Sequence, residues 1–304
     1  MKVYFADTVP LSLPEGHRFP APKYPQLRQR VFDSGLFTPD ELVEAQPASR
    51  EQLLLVHTPD YVEKIFSGSL SDREQRRIGL PWSPELLDRS CRAVGGAIAA
   101  CRCALEEGCG IYLGGGTHHA YPDHGEGYCV FNDVAVAVRV LQEEKRARQI
   151  AIVDCDVHQG NGTAFIFAGN PGVFTFSVHG EKNFPFHKEK SSLDIALPDG
   201  SGDEAFLQAV EYGLSATLNQ PSVDLVIYIA GADPYSGDRL GRLGMSKEGL
   251  EQRDEFVFQS CQEARLPVAV VMGGGYAKNI EDVVDIHMQT VSQAHRYFIR
   301  PPEV

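Results

Sequence analysis

The chain has 304 residues, 43% of them hydrophobic and 23% charged, the ordinary proportions of a water-soluble globular protein with a substantial core. Its formal net charge of −13 argues against binding nucleic acid through phosphates, which needs clustered Lys and Arg. That charge permits a cationic substrate drawn in over distance.

The N-terminal "MKVYFADTVP" lacks the basic start and long apolar run of a signal peptide, and no run reaches transmembrane length. Seven cysteines, without a CxxC pair or regular spacing, read as free thiols in a reducing cytosol, so a cytoplasmic location is expected. In chain order, strands are expected at "KVYF" near the start, "LLLVH" (53–57), "GIYLGGG" (110–116) and "IAIVDCD" (150–156). Three more follow at "VFTFSVH" (173–179), "LVIYIAGAD" (225–233) and "VAVVMGGG" (268–275). Four of these are almost continuously hydrophobic, as strands covered on both faces are. Helices are expected over 83–108, 133–148 and 202–220, the first starting from Ser83 with Pro84 and Glu85 behind it. Strand–helix alternation implies a parallel sheet between helical layers. With no repeat, low-complexity tract or linker, residues 1–304 read as a single domain.

A parallel α/β sheet places its site beyond the carboxyl ends of its strands, and the polar stretches "GGGTHHAYPDHGEGY", "DCDVHQGNG", "AGADPYSGD" and "GGGY" fall there. Asp154, Asp156 and His158 alternate after "IAIV", so on a strand they share a face. Burying carboxylates there costs several kcal/mol, roughly, unless a cation or donors compensate. Asp oxygen and His nitrogen are zinc-type ligands; a hydrogen-bonded polar strand end is the plainer alternative. Asp233 could complete an Asp–His–Asp set, although a lone Asp is more often a cap or turn former. His118 and His119 cannot both enter a pocket from a regular strand, so the glycines before them must turn the backbone. Two imidazoles can act as general base and electrostatic partner, with Asp154 suited to orient one ring and Asn161 the other. Tyr276, after three glycines, could donate to a developing oxyanion.

Taken together, "GGGTHHA…GYCVFND", "VDCDVHQGNG", "GADP" and "GGGY" resemble, in this order, the metal-dependent histone deacetylases and their bacterial amidohydrolase relatives. The resemblance runs from "GHRFPAPKY" (16–24) to "GGGYAKN", and the stretch 236–258 is most similar to class IV deacetylases. It implies a three-layer arginase/deacetylase-like fold with a central, mainly parallel eight-stranded sheet. It also implies hydrolysis of an acyl amide on a lysine-type amine. By position, Asp156, His158 and Asp233 would bind Zn²⁺, with Fe²⁺ as an alternative. His119 would be the main general base and acid, His118 with Asp154 its electrostatic partner, and Tyr276 the oxyanion donor. Gly127, Tyr128, Phe184, Leu240 and Gly274 would bind the substrate. A structural K⁺ would sit near Asp154, Asp156, His158, Ser177 and Val178. Two departures stand out: Asn161 replaces the aspartate of class I members, and Leu240 replaces the rim glutamate of polyamine-selective relatives. An apolar rim would give a distal ammonium no counter-charge. The rival readings are an acetylpolyamine or other small-molecule deacetylase, an arginase-like ureohydrolase, and a catalytically silent acyl-lysine-binding scaffold. A nucleotide site is not indicated, because no GxGxxG or GKS/T pattern accompanies the glycines.

Overall fold

The computed structural model describes residues 1–299. Its strands are β1 (Lys2–Phe5), β2 (Leu42–Glu44), β3 (Cys109–Tyr112), β4 (Ile150–Asp154), β5 (Val173–Gly180), β6 (Leu193–Leu197), β7 (Leu225–Ile229) and β8 (Val268–Val271). They form one eight-stranded sheet in the order β2-β1-β3-β8-β7-β4-β5-β6, and every pairing within it is parallel. The helices are α1 (Lys23–Asp33), α2 (Arg50–Leu53), α3 (Pro59–Ser67), α4 (Asp72–Ile78), α5 (Pro84–Glu107), α6 (Asp133–Glu143), α7 (Asn161–Ile166), α8 (Asp203–Leu218), α9 (Lys247–Glu263) and α10 (Ile280–Phe298).

The central strands are apolar throughout because both faces are covered. On β4 and β7, Ile150, Ile152, Ile227 and Ile229 pack with Val94 and Ala97 of α5 and the Val134–Leu141 run of α6. Their neighbours Ala151, Val153, Val226 and Tyr228 face Phe206 and Val210 of α8, Val257 of α9 and Ile286 of α10. Helix, sheet and helix thus make the three layers. Ser83 caps α5, its hydroxyl accepting from the Leu86 amide at 3.1 Å.

The segment 53–57 is not a strand. Ser49 caps a short helix there, with Gln52 returning a hydrogen bond, and the chain then turns. Leu53 and His57 are buried while Leu54 and Leu55 are exposed, a four-residue spacing that belongs to helical backbone. Strands β2 and β6, which sequence patterning misses, are the two sheet edges. Several strands also stop earlier than their apolar runs suggest: β3 at Tyr112, β4 at Asp154, β7 at Ile229 and β8 at Val271. The chain beyond each stop is irregular and carries the polar residues. Those four strands are contiguous at the centre of the sheet, so their endings meet at one place. All seven cysteines are buried and unpaired, and among the described residues no helix is long and apolar enough to cross a membrane.

Candidate metal centre

Strand β4 delivers Asp154 as its last residue, and a turn carries Asp156 and His158 beyond it. Asp156 Oδ1 accepts from both the amide and Nδ1 of His158, each at 2.9 Å, so the pair is set by a local turn rather than by strand alternation. Asp154 faces elsewhere: its Oδ2 accepts from His118 Nδ1 at 2.7 Å. Asp233 enters from the loop after β7. Its Oδ1 accepts from the Val157 amide at 2.9 Å, and its Oδ2 lies 3.1 Å from His158 Nδ1.

Ligand atoms of Asp156, His158 and Asp233 lie within 4.8 Å of one another, and all three residues are buried. Asp233 Oδ2 has no hydrogen-bond partner although it is fully enclosed. A buried carboxylate oxygen left unmatched beside a second carboxylate is costly unless a cation fills the space between them. Two carboxylate oxygens and one imidazole nitrogen are a donor set that suits a divalent ion such as Zn²⁺. Burial opposes charge on His158, but its hydrogen bond to Asp156 and the Asp233 carboxylate close beside it lift its pKa to about 10. Binding an ion would displace that proton.

Close backbone approach makes the cluster possible. The Gly274 amide donates to Asp156 Oδ2 at 2.7 Å, and a Cβ on Gly274 would lie 1.9 Å from Asp233 Oδ2. Gly116 has φ +74°, and its Cβ would stand 2.6 Å from the Gly273 Cα, which lets the loops after β3 and β8 touch.

His118 and His119 follow that turn with their Nε2 atoms 3.2 Å apart. Burial disfavours a charged His118, yet Asp154 and Asp156 outweigh it and raise its pKa to about 9. Burial, then the neighbouring His118 and His158, push His119 well below the usual range, so it is neutral. Its Nδ1 donates to Asn161 Oδ1 at 2.7 Å, leaving Nε2 unprotonated, where it accepts from the His118 Nε2–H. Asn161 is not the end of this chain of contacts. Its Nδ2 donates to Glu126 Oε1 at 2.7 Å and to the Tyr121 hydroxyl at 3.2 Å, so a carboxylate does stand behind His119, one residue removed.

Tyr276 sits at the opening, its ring 6.3 Å from that of His158, and burial together with Asp233 and Asp156 raises its phenol well above the usual value. It is therefore a protonated donor. Gly127, Tyr128, Phe184 and Leu240 line an outer recess of about 570 Å³ that reaches His119, His158 and Tyr276. Phe184 meets His119 edge-on at 4.9 Å. Gly274 lines a smaller chamber of about 80 Å³ that shares Asp156 and His158 with the cluster and that Tyr112, Leu86 and Arg89 also line. Ser177 is buried opposite Asp154 in the β4–β5 register, with Val178 next to it. The rim differs from the expectation drawn from Leu240 alone: it is cationic rather than apolar, because Arg18, Arg77, Lys182, Arg239 and Arg242 surround that leucine.

Sequence reading passed over several supporting residues. Asp133, visible in "FND", accepts from the amides of Gly116 and Thr117 at 2.9 and 2.8 Å and holds the histidine loop. The Lys23 ammonium donates to the Gly273 carbonyl at 3.3 Å. Fully buried Arg253 donates to the Gly231 carbonyl, ahead of Asp233, and to Asp254. Only the rarity of buried charge could have marked these, and burial is not readable from one sequence.

Fold and site together define a parallel α/β protein whose central strand ends deliver a buried Asp–His–Asp cluster flanked by two histidines and a tyrosine. Residues 17–291 match the family model described as the histone deacetylase domain, and the chain belongs to that family of deacetylase hydrolases. An uncharacterised protein of Picosynechococcus sp. is 48% identical over 285 residues, covering 94% of this chain and 95% of that one. Histone deacetylase 2 of Arabidopsis thaliana is 28% identical over 294 residues, covering 94% of this chain and 76% of the relative. Among solved structures, an HDAC homologue complexed with SAHA has a TM-score of 0.83 at 23% identity, over 98% of this chain and 85% of that chain, a likeness of fold.

Proposed function

We propose that the chain hydrolyses the acyl amide of an N-acyl-lysine side chain in a peptide or protein. Zn²⁺, or Fe²⁺ in its place, would be held by Asp156, His158 and Asp233. The observation that carries this reading is the unmatched, buried Asp233 Oδ2 facing Asp156 and His158, next to a neutral His119 and a protonated Tyr276.

When bound, the ion supplies Lewis-acid polarisation of the acyl carbonyl and a lowered pKa for water, weakened by its two carboxylate ligands. Tyr128 and Phe184 guide the aliphatic stem inward, and Leu240 touches it at the mouth. His119 Nε2 takes a proton from the attacking water while Asn161 holds its opposite Nδ1–H. The same nitrogen then gives that proton to the leaving amine. His118, kept cationic by Asp154, stabilises negative charge as it develops nearby. Tyr276 donates to the amide oxygen as that oxygen becomes negative. A monovalent cation such as K⁺ at the main-chain oxygens near Asp154, Asp156, His158, Ser177 and Val178 belongs to the same reading. So does the class IV likeness of 236–258.

Chelation should abolish hydrolysis of an acetyl-lysine peptide, and stoichiometric Zn²⁺ or Fe²⁺ should restore it. Tyr276→Phe should lower kcat by roughly 10²–10³-fold, as loss of one oxyanion donor does, with the bound metal unchanged. Full turnover by Tyr276→Phe would refute the oxyanion role.

A further inference from the structure

We infer that the acyl-lysine accepted here lies in an acidic segment, with Asp or Glu on both sides, and that the mouth turns away polyamines and Lys/Arg-rich segments. This rests on the hydrolase reading above and names the substrate class of the same site. Five cations line the outer recess, Arg18, Arg77, Lys182, Arg239 and Arg242, and among the described residues no carboxylate lines it. All five are exposed. They come from four separate stretches: the loop before α1, helix α4, the loop after β5 and the loop after β7.

Two of them are matched. Arg77 meets Glu126 at 2.9 Å and Arg242 meets Asp199 at 3.2 Å. Arg18, Lys182 and Arg239 have no ion-pair partner among the described residues. The Arg239 guanidinium is fixed at the opening by donating to the carbonyls of Tyr276, at 2.8 Å, and Arg18, at 3.3 Å. The nearby Asp238 carboxylate is turned inward and accepts from the amides of Leu240, Gly241 and Tyr276. The mouth is thus positive on a chain whose formal net charge is −13.

The amide of an acylated lysine is neutral, so discrimination by charge must come from what flanks it. Carboxylates beside the lysine would meet unmatched guanidinium and ammonium groups, a charge-assisted and partly bidentate pairing. An acetylated polyamine brings extra ammonium groups to the same place and is repelled.

The test uses the zinc-loaded full chain with three acetyl-lysine peptides of equal length, flanked by Glu, by Gly and Ser, or by Lys, and with acetylspermidine. Expected kcat/KM falls in the order acidic, neutral, basic, spanning at least about tenfold at low salt, mostly through KM. The span should collapse at about 0.5 M NaCl. In the double variant Arg18→Glu, Lys182→Glu the acidic and basic peptides should exchange rank. Fluorescence anisotropy of the same labelled peptides reads the rim without turnover. Tighter binding of the acidic peptide with no hydrolysis of any would support the rim and overturn the hydrolase reading. Hydrolysis or binding of acidic and basic peptides within about twofold of each other, or faster turnover of acetylspermidine, would overturn the rim.

Discussion

Replacing Arg253 by methionine should destabilise the protein by about 3 kcal/mol, through the carboxylate it leaves behind. The guanidinium is wholly buried; Nε and Nη2 donate to Asp254 Oδ1 at 3.0 and 2.8 Å, and Nη1 to the Gly231 carbonyl. Breaking a buried ion pair by removing one partner typically costs about 3–5 kcal/mol, because the survivor is uncompensated. The lower end applies, since the Tyr228 and Thr290 hydroxyls still donate to Asp254 at 2.5 and 2.6 Å. Urea unfolding of the chelator-treated protein reads this term free of metal linkage. The double variant Arg253→Met, Asp254→Leu removes both charges and should recover at least half of the loss. Zn²⁺ affinity, measured by competition with a chromophoric chelator, should fall about tenfold or more in the single variant, because the Gly231 carbonyl loses the donor that fixes the loop carrying Asp233. If the single variant costs less than about 1 kcal/mol, or the double variant is no more stable than the single, the reasoning is wrong.

Burial lowers the His57 pKa to about 4; its Nε2 accepts from the Asn132 amide and its Nδ1 lies against the Tyr121 carbonyl. The unfolded ring, at about 6.5, therefore binds protons first, so His57 should make stability fall by up to about 1.4 kcal/mol per pH unit as pH drops from 6.5 towards 4. His57→Gln should flatten that part of a stability–pH curve, and an unchanged slope would count against it. Asn161→Asp should lower Tm at pH 8, because it sets a carboxylate against Glu126, and Asn161→Asp with Glu126→Gln should regain most of the loss. A double variant no better than the single would rule out that repulsion. Gly274→Ala should abolish stoichiometric zinc binding, since its Cβ would fall 1.9 Å from Asp233 Oδ2; full metal content by elemental analysis would contradict this.

Four central strands, β3, β4, β7 and β8, were legible because each is apolar on both faces, a pattern that needs no partner to be recognised, and β1 and β5 were found from their β-branched and aromatic residues. The edges were not. Leu42–Glu44 spans three half-buried residues, and Leu193–Leu197 is mostly half-buried, so neither has an apolar run to announce it. "LLLVH" misled for the opposite reason: its leucines look like a strand, but the capping box at Ser49 starts a helix that the aliphatic composition conceals. In the site, the order of motifs placed Asp156, His158, Asp233, both histidines and Tyr276 at one end of the sheet, where the structure has them. The pairing of His118 with Asp154 and of His119 with Asn161 agrees with that reading, but the shared face of Asp154, Asp156 and His158 does not, because alternation presumes a strand and β4 ends at Asp154. The cationic rim was invisible, since its five side chains come from stretches far apart in the chain and become neighbours only through the crossovers.

The donor set is divided between the ends of β4 and β7, with β5, β6 and the α8 crossover synthesised in between. A chain emerging from the ribosome therefore owns Asp156 and His158 well before it owns Asp233. An incomplete translation product, or one cut before β7, would hold two donors and grip an ion weakly. Any metal loading would in this way have to wait for β7 and the loop after it, while β8, which fills the centre of the sheet between β3 and β7, is made later still.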